Sequence, residues 1–210
     1  MRRTLLFLIA ALGLAGSALA QSAPISAPPG ATTEAHWKGV VRLVTGASSC
    51  SGALISETLV LTAAHCLYDP VSSRRVNDTA ITVQLGIREG RPELLRGVAR
   101  SYVPSAYRHV SRPQLEDVGS DIALLQLDLP VAIGGRIEPM PIGRGAGPGS
   151  DVTVVSYGPR GRTGPAIQES CRIVEGVDAA RVLSCGMVPG DSGAPVIRRT
   201  GRGPGIVGGI

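Results

Sequence analysis

Apolar residues along this chain occur in short runs that are separated by glycine, proline and small polar residues. No long stretch repeats apolar positions with the helical period of 3.6 residues, and only residues 63–68 resemble a turn or two of helix. Short runs at regular spacing predict an all-β protein built as a sandwich or as barrels. The predicted strands cover residues 38–45, 50–56, 58–62, 80–87, 94–103 and 121–128 in the first part of the chain, and residues 151–157, 167–175, 181–185, 194–199 and 204–210 in the second.

A passage rich in glycine and proline divides these predicted strands into two groups. Residues 133–150 read IGGRIEPMPIGRGAGPGS and predict a linker. They separate an N-terminal β unit, residues 36–132, from a C-terminal β unit, residues 151–210. Residues 21–35 are rich in Pro, Ala, Ser and Thr, and they predict a flexible leader.

The beginning of the chain predicts a targeting segment. Arg2 and Arg3 precede an apolar stretch, and the sequence Ala-Leu-Ala at residues 18–20 fits a signal cleavage site, so we interpret residues 1–20 as a signal peptide. A twin-arginine export signal is the alternative, although the usual neighbours of that signal are absent. The apolar stretch is too short for a good membrane span. We therefore expect a mature chain that begins near Gln21, is secreted or periplasmic, and has no membrane contact after cleavage.

Composition and charge narrow the function classes. Hydrophobic residues make up 43% of the 210 residues and charged residues 18%, which excludes a disordered polymer. Aromatic residues make up only 3%, so the core must consist of Val, Leu, Ile and Ala. The net charge of +5 comes from scattered arginines without a basic run or interleaved aromatic residues, and nucleic acid is therefore not an expected partner.

The four cysteines predict disulfide bonds, because an exported protein folds in an oxidising compartment. Four cysteines allow three pairings. The local pairing joins Cys50 to Cys66 and Cys171 to Cys185, and turn residues within each interval let the chain return on itself. A zinc site is the alternative, but no Cys-x-x-Cys spacing occurs and His65 directly adjoins Cys66. We expect no metal and no cofactor.

Three short segments carry candidate chemistry. Residues 61–66 (LTAAHC) place His65 among small residues beside a cysteine, and residues 120–127 (SDIALLQL) place Asp121 at the head of an apolar strand. An aspartate there is costly to bury unless it is hydrogen-bonded, and an imidazole N–H is a suitable donor. Residues 189–195 (PGDSGAP) place Ser192 in a tight turn between small residues, where its hydroxyl can be exposed.

These residues supply a nucleophile, a base and an orienting group for one reaction. A serine hydroxyl is a weak nucleophile until a base removes its proton. Histidine serves as that base near neutral pH, and an aspartate fixes its tautomer and stabilises the imidazolium. The N–H groups of Gly190 and Ser192 form a candidate oxyanion hole. Each segment alone is more often an ordinary packed or turn segment, and it is their occurrence together in one exported β-rich chain that favours catalysis.

The segments TAAHC, DIALLQL and GDSGAP resemble the three signature segments of the trypsin/chymotrypsin-like serine endopeptidases, with the bacterial secreted branch as the nearest match. The resemblance covers about residues 37–210. It implies two perpendicular six-stranded antiparallel barrels with a cleft between them. It also implies His65 as general base, Asp121 as orienting residue and Ser192 as nucleophile of a peptide-hydrolysing triad, with Gly190 and Ser192 as oxyanion donors.

The same resemblance implies further structural roles. The Cys50–Cys66 pair would be the family disulfide that brackets the catalytic histidine. Tyr157 and Gly158 would be the aromatic-glycine pair of the second barrel. Ala194 stands where the family usually has glycine, and we expect this methyl group to be tolerated.

The chain departs from the family pattern at the activation and specificity positions. No start of the Ile-Val-Gly-Gly type appears near the expected mature terminus, so Asp191 is expected to find arginine or backbone partners instead. Gly186 occupies the position of the pocket aspartate in trypsin-like members. An uncharged pocket that involves Gly186, Met187 and Gly208 therefore predicts poor cleavage after Arg or Lys.

The second half offers five candidate strands against six in the first, and the sequence given ends at the strand that resembles the substrate-pairing strand of the family. We therefore expect a second barrel without its last strand and without the C-terminal helix. Such a barrel favours a second hypothesis, a weak or inactive protease-fold binding module. A third hypothesis, an esterase of the α/β-hydrolase class, conflicts with the order His65, Asp121, Ser192 and with the alanine at position 194.

Overall fold

The computed structural model of the chain describes residues 37–46, 48–110, 112–133, 137–159, 163–200 and 203–210. The expected signal peptide and leader, residues 1–20 and 21–35, lie outside the described residues. The strands in the described part are β1 (Val40–Thr45), β2 (Ser48–Ser56), β3 (Leu59–Thr62), β4 (Ile81–Leu85), β5 (Leu94–Tyr102), β6 (Ala123–Leu127), β7 (Asp151–Ser156), β8 (Ala166–Val177), β9 (Ala180–Leu183), β10 (Pro195–Thr200) and β11 (Gly203–Gly209).

Each predicted run of the sequence overlaps one of these strands, so the nearly all-β fold class is confirmed. The helical turn expected at residues 63–68 is a 3-10 helix, Ala64–Leu67. A second 3-10 helix, Asp78–Ala80, and the one-turn helix α1, Leu115–Val118, were not predicted, because such short segments leave no periodic pattern. Within the described part of the chain, no helix is long and apolar enough to cross a membrane.

The first six strands close into an antiparallel barrel in the order β1-β2-β3-β6-β5-β4. Alternate residues of β4 point inward, so that Ile81, Val83 and Leu85 are buried while the residues between them are half-exposed. The same period of two places Leu125 of β6 in the centre of the barrel. The barrel interior is filled by aliphatic side chains, as the low aromatic content requires.

The remaining five strands form an open antiparallel sheet in the order β11-β10-β7-β8-β9. Five strands are the number that the sequence predicts for the second half. In the described residues β9 and β11 are the two edges, and no strand joins them. The inner face of this sheet buries an apolar cluster that includes Val154, Ile173 and Ala194, so the methyl group of Ala194 is accommodated in the core.

A third apolar cluster joins the two β units. Trp37 and Val40 from the start of the barrel pack with Val155, Tyr157 and Ile197 of the second sheet. The segment between β6 and β7 takes part in this junction. Its Met140 is buried in the same cluster, and its Ile142 forms a parallel bridge with Ile206 of β11.

Two disulfides reinforce the loops. Cys50 is bonded to Cys66, which ties the 3-10 helix after β3 to strand β2, and Cys171 is bonded to Cys185, which ties the segment after β9 to β8. This is the local pairing among the three that the sequence allows. No cysteine is left free in the chain.

The barrel core gives a direct test of this fold. We expect Leu125→Ala to lower the free energy of unfolding by about 2–5 kcal/mol, because Leu125 is fully buried and its truncation leaves a cavity. Leu129→Ala is the matched control, since this side chain is 61% exposed and its loss should change stability by less than about 0.5 kcal/mol. Urea unfolding measures both. Equal losses in the two variants would contradict the barrel packing.

Candidate active site

His65 is held in place by its neighbours in the chain. It lies on the 3-10 helix Ala64–Leu67, between the buried Ala64 and the disulfide-bonded Cys66. Small buried residues on one side and a covalent bond on the other fix the backbone at this point. The imidazole itself is 37% exposed and faces a cleft. The sequence therefore produces a rigid support for a solvent-accessible ring.

Asp121 holds this ring with both carboxylate oxygens. Its Oδ2 lies 2.6 Å from His65 Nδ1, and its Oδ1 accepts the backbone N–H of His65 at 2.8 Å. Asp121 stands just before β6, where its own N–H donates to Val118 O of α1. The arrangement orients the imidazole and leaves its Nε2 directed away from the carboxylate. The prediction that Asp121 and His65 come together is thus met by the geometry.

The environment of Asp121 keeps it ionised. Burial acts to raise the pKa of its carboxyl group, but hydrogen bonds and charge from His65 and the backbone N–H groups of Ala64 and His65 oppose burial and hold the pKa below its ordinary value. An ionised carboxylate favours the tautomer in which Nδ1 carries the proton. Nε2 is then free to accept a proton.

Ser192 lies in a turn whose backbone conformation favours glycine at two positions. Gly190 has φ of +97° and Gly193 has φ of +78°, both in the left-handed region. A β-carbon on Gly193 would lie 2.2 Å from Ser51 O and 2.2 Å from Thr62 Oγ1. The missing side chain therefore allows the serine turn to press directly against the first barrel.

Ser192 and His65 line the same cleft, whose volume is about 580 Å³. The hydrogen bonds among described residues do not include one between Ser192 Oγ and the His65 ring. Such contacts are often long in a free enzyme and shorten when substrate binds. The backbone N–H groups of Gly190 and Ser192 donate to no described residue, so both are available to an incoming oxygen atom.

Ser51 of β2 is a residue that the sequence analysis missed. It is fully buried, its N–H donates to Ser192 O at 2.7 Å, and its Oγ donates to Gly190 O at 2.9 Å. The same Oγ accepts Tyr157 N–H at 2.8 Å, and Ser51 O accepts the Thr62 hydroxyl at 2.8 Å. Ser51 therefore fixes the carbonyl groups of Gly190 and Ser192, the two candidate oxyanion donors. The only sequence signal was a serine beside the cysteine at the start of a mostly apolar predicted strand.

Asp191 is buried beside the nucleophile turn. The Ser156 hydroxyl donates to its Oδ1 at 2.7 Å, and the backbone N–H of Val188 donates to its Oδ2 at 3.0 Å. A β-carbon on Gly158 would lie 2.3 Å from Asp191 Oδ1. The glycine of the Tyr157-Gly158 pair is therefore required by the close approach of this carboxylate.

The residues predicted for a specificity pocket have different surroundings in the described part of the chain. Gly186 is exposed, and Met187 packs against the apolar cluster of the second sheet. Gly208 lines a separate cavity of about 300 Å³ next to Gly193. The uncharged pocket stays a prediction.

A metal or cofactor has no evident place among these residues. Sulfur and nitrogen atoms of Cys50, His65 and Cys66 lie within 4.8 Å of one another. Both sulfurs are consumed in the disulfide, so neither is available as a thiolate ligand.

The fold and the cleft together define the structural class of this protein. It consists of two β units, and a serine, a histidine and an aspartate lie where the units meet. The family model described as Trypsin matches residues 25–210. The chain therefore belongs to the trypsin family of serine proteases.

Individual relatives agree with this membership. The chain is 29% identical over 189 residues to serine protease SP24D of Anopheles gambiae, which covers 79% of this chain and 64% of that protein. It is 37% identical over 92 residues to a trypsin of Phaedon cochleariae, covering 43% of this chain and 31% of the relative. It is 34% identical over 112 residues to human kallikrein-10, and the alignment covers 52% of this chain and 38% of the relative. The chain thus spans less than two thirds of the length of these relatives.

A solved structure supports the fold. The structure titled "Structure of Glu endopeptidase in complex with MPD" superimposes with a TM-score of 0.61 at 19% identity, over 78% of this chain and 74% of that one. At this identity the similarity shows the chymotrypsin-like fold alone.

The contacts of Ser51 predict a stability effect. Ser51→Ala leaves Gly190 O and Tyr157 N–H buried without their partner, so we expect the free energy of unfolding to fall by about 1–3 kcal/mol. Ser49→Ala, an exposed position on the same strand, is the matched control and should change it by less than about 0.5 kcal/mol. Urea unfolding of both variants is the measurement. Unchanged stability of Ser51→Ala would show that these hydrogen bonds are not formed.

Proposed function

We propose that this protein is a serine endopeptidase in which Ser192 is the nucleophile, His65 the general base and Asp121 the residue that orients His65. The observation that carries the proposal is that the Asp121 carboxylate contacts both the ring and the backbone N–H of His65. Ser192 lines the same cleft as His65. Membership of the trypsin family supports the same reaction class.

The acylation step uses Ser192 as nucleophile and His65 first as base and then as acid. His65 Nε2 removes the proton from Ser192 Oγ, and Oγ bonds to the carbonyl carbon of the substrate. The carbonyl oxygen becomes an oxyanion, which the N–H groups of Gly190 and Ser192 stabilise. When the C–N bond breaks, His65 returns its proton to the leaving amine, and the acyl group stays on Ser192.

Deacylation repeats these roles with water. His65 takes a proton from a water molecule, whose oxygen attacks the acyl carbon. The resulting oxyanion occupies the same pair of N–H groups. Collapse breaks the bond to Ser192 Oγ, which regains the proton from His65. Asp121 stabilises the imidazolium in both halves and does not itself change protonation.

The proposed substrates are polypeptides, with an extended segment that pairs along the edge of β11 before the scissile bond. Gly186 offers no carboxylate for a basic side chain, and small or medium apolar side chains are therefore the proposed preference at that position. A buried cation without a partner would be strongly unfavourable.

The proposed compartment is extracellular or periplasmic, because two disulfides are stable in an oxidising environment. The relatives reported above come from two insects and from human, so assignment to a bacterial secreted branch stays a prediction from the motifs alone.

A protease-fold binding module is the second candidate function. It is favoured by one observation in the described residues: Ser192 Oγ forms no hydrogen bond with the His65 ring, although both residues line the cleft. Such a protein would bind peptides in the cleft but would turn them over slowly or not at all.

Covalent labelling separates the two candidates. A fluorophosphonate should label the folded protein at Ser192, because labelling requires an activated serine. Ser192→Ala should abolish labelling and lower kcat for peptide hydrolysis by about 10⁶. Ser170→Ala, at an exposed serine of β8 that does not line the cleft, should match the parent protein. A folded protein that is not labelled would favour the binding module, and more than a tenth of the activity in Ser192→Ala would contradict the nucleophile assignment.

The pH dependence tests the base. We expect kcat/KM to fall on acidification and to reach a plateau on the alkaline side, because the base must be neutral to accept the serine proton. Asp121 adds no second step in this range, since its lowered pKa keeps it ionised until the pH is far more acidic. A kcat/KM that is constant from about pH 5 to 9 would contradict a histidine base.

A further inference from the structure

Arg42 brings a positive charge into the cleft of Ser192 and His65. This residue lies on β1, is half-buried, and lines the same cavity as both of them. Its Nε donates to Gln84 Oε1 at 2.8 Å. The other guanidinium nitrogens form no hydrogen bond or ion pair with any residue that the structure describes. Most of the donor capacity of Arg42 is therefore open to a ligand.

The position of the guanidinium is restricted by its surroundings. It lies close enough to Tyr157 for its charge to act on the phenol: burial raises the pKa of Tyr157 to about 12, and the charge of Arg42 works in the opposite direction. Tyr157 itself is buried and lines the cleft. A planar guanidinium that is held at one edge by Gln84 presents its remaining N–H groups as a fork, which matches a carboxylate.

The wall of this cavity contains no carboxylate side chain. Among the described residues that line it, Arg42 is the one arginine or lysine, His65 and His109 are the histidines, and none is an aspartate or glutamate. His109 is fixed by stacking on Tyr68, with ring centroids 4.1 Å apart, and by a 3.2 Å contact between its Nδ1 and the Tyr107 hydroxyl. A cavity of this kind attracts an anionic group and disfavours a cationic one.

The cavity lies on the leaving-group side of the candidate nucleophile. None of the residues lining it belongs to β11. Gly208 and Gly209 of β11 instead line the second cavity, together with Gly193. Because the proposed acyl segment runs along β11, the segment after the scissile bond must leave Ser192 on the side of Arg42.

The register of the strands gives the distance. Arg42 is paired with Ser51, and the Ser51 N–H is bonded to Ser192 O. The backbone of Arg42 therefore lies no more than about two strand spacings, about 10 Å, from that of Ser192. An extended peptide covers this distance in about three residues, and the arginine side chain shortens it further.

We propose that Arg42 forms a subsite for the carboxylate of an Asp or Glu side chain at the second or third substrate residue after the scissile bond. The proposal rests on the peptidase function proposed above and names a substrate class for it: polypeptides with an acidic residue on the leaving-group side. The carboxylate is bound by the free edge of the guanidinium in a partly desolvated cavity. The interaction adds to substrate affinity and does not enter the chemical step.

The activity test uses internally quenched peptides that differ at one leaving-group position. Peptides carry Glu, Gln or Lys there and end in a carboxamide, so that a terminal carboxylate cannot take the place of the side chain. We expect kcat/KM for Glu to exceed that for Gln by about three- to tenfold, with Lys below Gln, as for a charge pair that is partly exposed. The ratio should shrink as salt is raised from 0.05 to about 0.5 M.

Substitutions of Arg42 test whether this residue causes the preference for the Glu peptide. Arg42→Gln should bring the ratio of Glu to Gln to about one, Arg42→Lys should keep part of it, and Arg42→Glu should favour the Lys peptide. Arg100→Gln is the matched control, because it removes the same charge from an exposed position on β5 of the same barrel. It should keep the full ratio. Thermal unfolding followed by circular dichroism verifies that each variant is folded.

Binding to Ser192→Ala keeps the test independent of turnover. Fluorescence anisotropy of the labelled Glu and Gln peptides on this protein, with and without Arg42→Gln, measures the same preference even if the parent is not an active peptidase. A stronger affinity for Glu that disappears with Arg42→Gln supports the subsite. Equal affinities, a preference that survives Arg42→Gln, or the same loss in Arg100→Gln would each overturn it. Absence of fluorophosphonate labelling would instead overturn the proposed function alone.

Discussion

The hydrogen bonds of Ser51 are the constraint on which the candidate site depends. Apolar packing at the junction of the two β units brings surfaces together, but it does not fix direction. Ser51 adds direction, because it holds the Ser192 and Gly190 carbonyls from the first barrel while it accepts Tyr157 N–H from the second. Gly193 makes this possible, since any side chain there would collide with Ser51 O. The orientation of the nucleophile turn is thus set by a strand that precedes it by some 140 residues.

The strands could be predicted from the sequence because their burial alternates. Ile81, Val83 and Leu85 of β4 show the period of two that the pleat imposes, and the cysteines restrict their own pairing to three arrangements. Short helices could not be predicted in this way. Helix α1 is a single turn whose N-terminal end is fixed by the hydrogen bond from Gln114 N–H to Asp117 Oδ2, and four residues contain no repeat to detect. The closed order of the barrel and the open order of the second sheet likewise depend on contacts between distant residues.

The residues of the candidate site also differ in how well the sequence predicts them. Residues with a distinctive local setting, such as His65 beside a cysteine or Ser192 in a glycine turn, stand out in the sequence. Residues that act through a long-range contact do not: Ser51 and Arg42 are ordinary members of β-strands until the fold places them beside Ser192 and Tyr157. The pocket around Gly186 could not be predicted for the same reason. A pocket is formed by residues from several segments, and the sequence motif identifies only one of them.

The segment between β6 and β7 reads as a spacer in the sequence, yet the structure makes it part of both halves. Met140 is buried in the central cluster, and a β-carbon on Gly39 would lie 2.5 Å from the Met140 side chain. Gly143 N–H donates to Ile206 O, and Ile206 N–H donates to Pro141 O, so the same segment is hydrogen-bonded to β11. The two β units are therefore coupled in their unfolding. Cutting the chain at this segment would expose the apolar cluster between the units and remove a hydrogen-bonded neighbour of β11. Neither β unit is therefore expected to fold independently when it is moved into another protein.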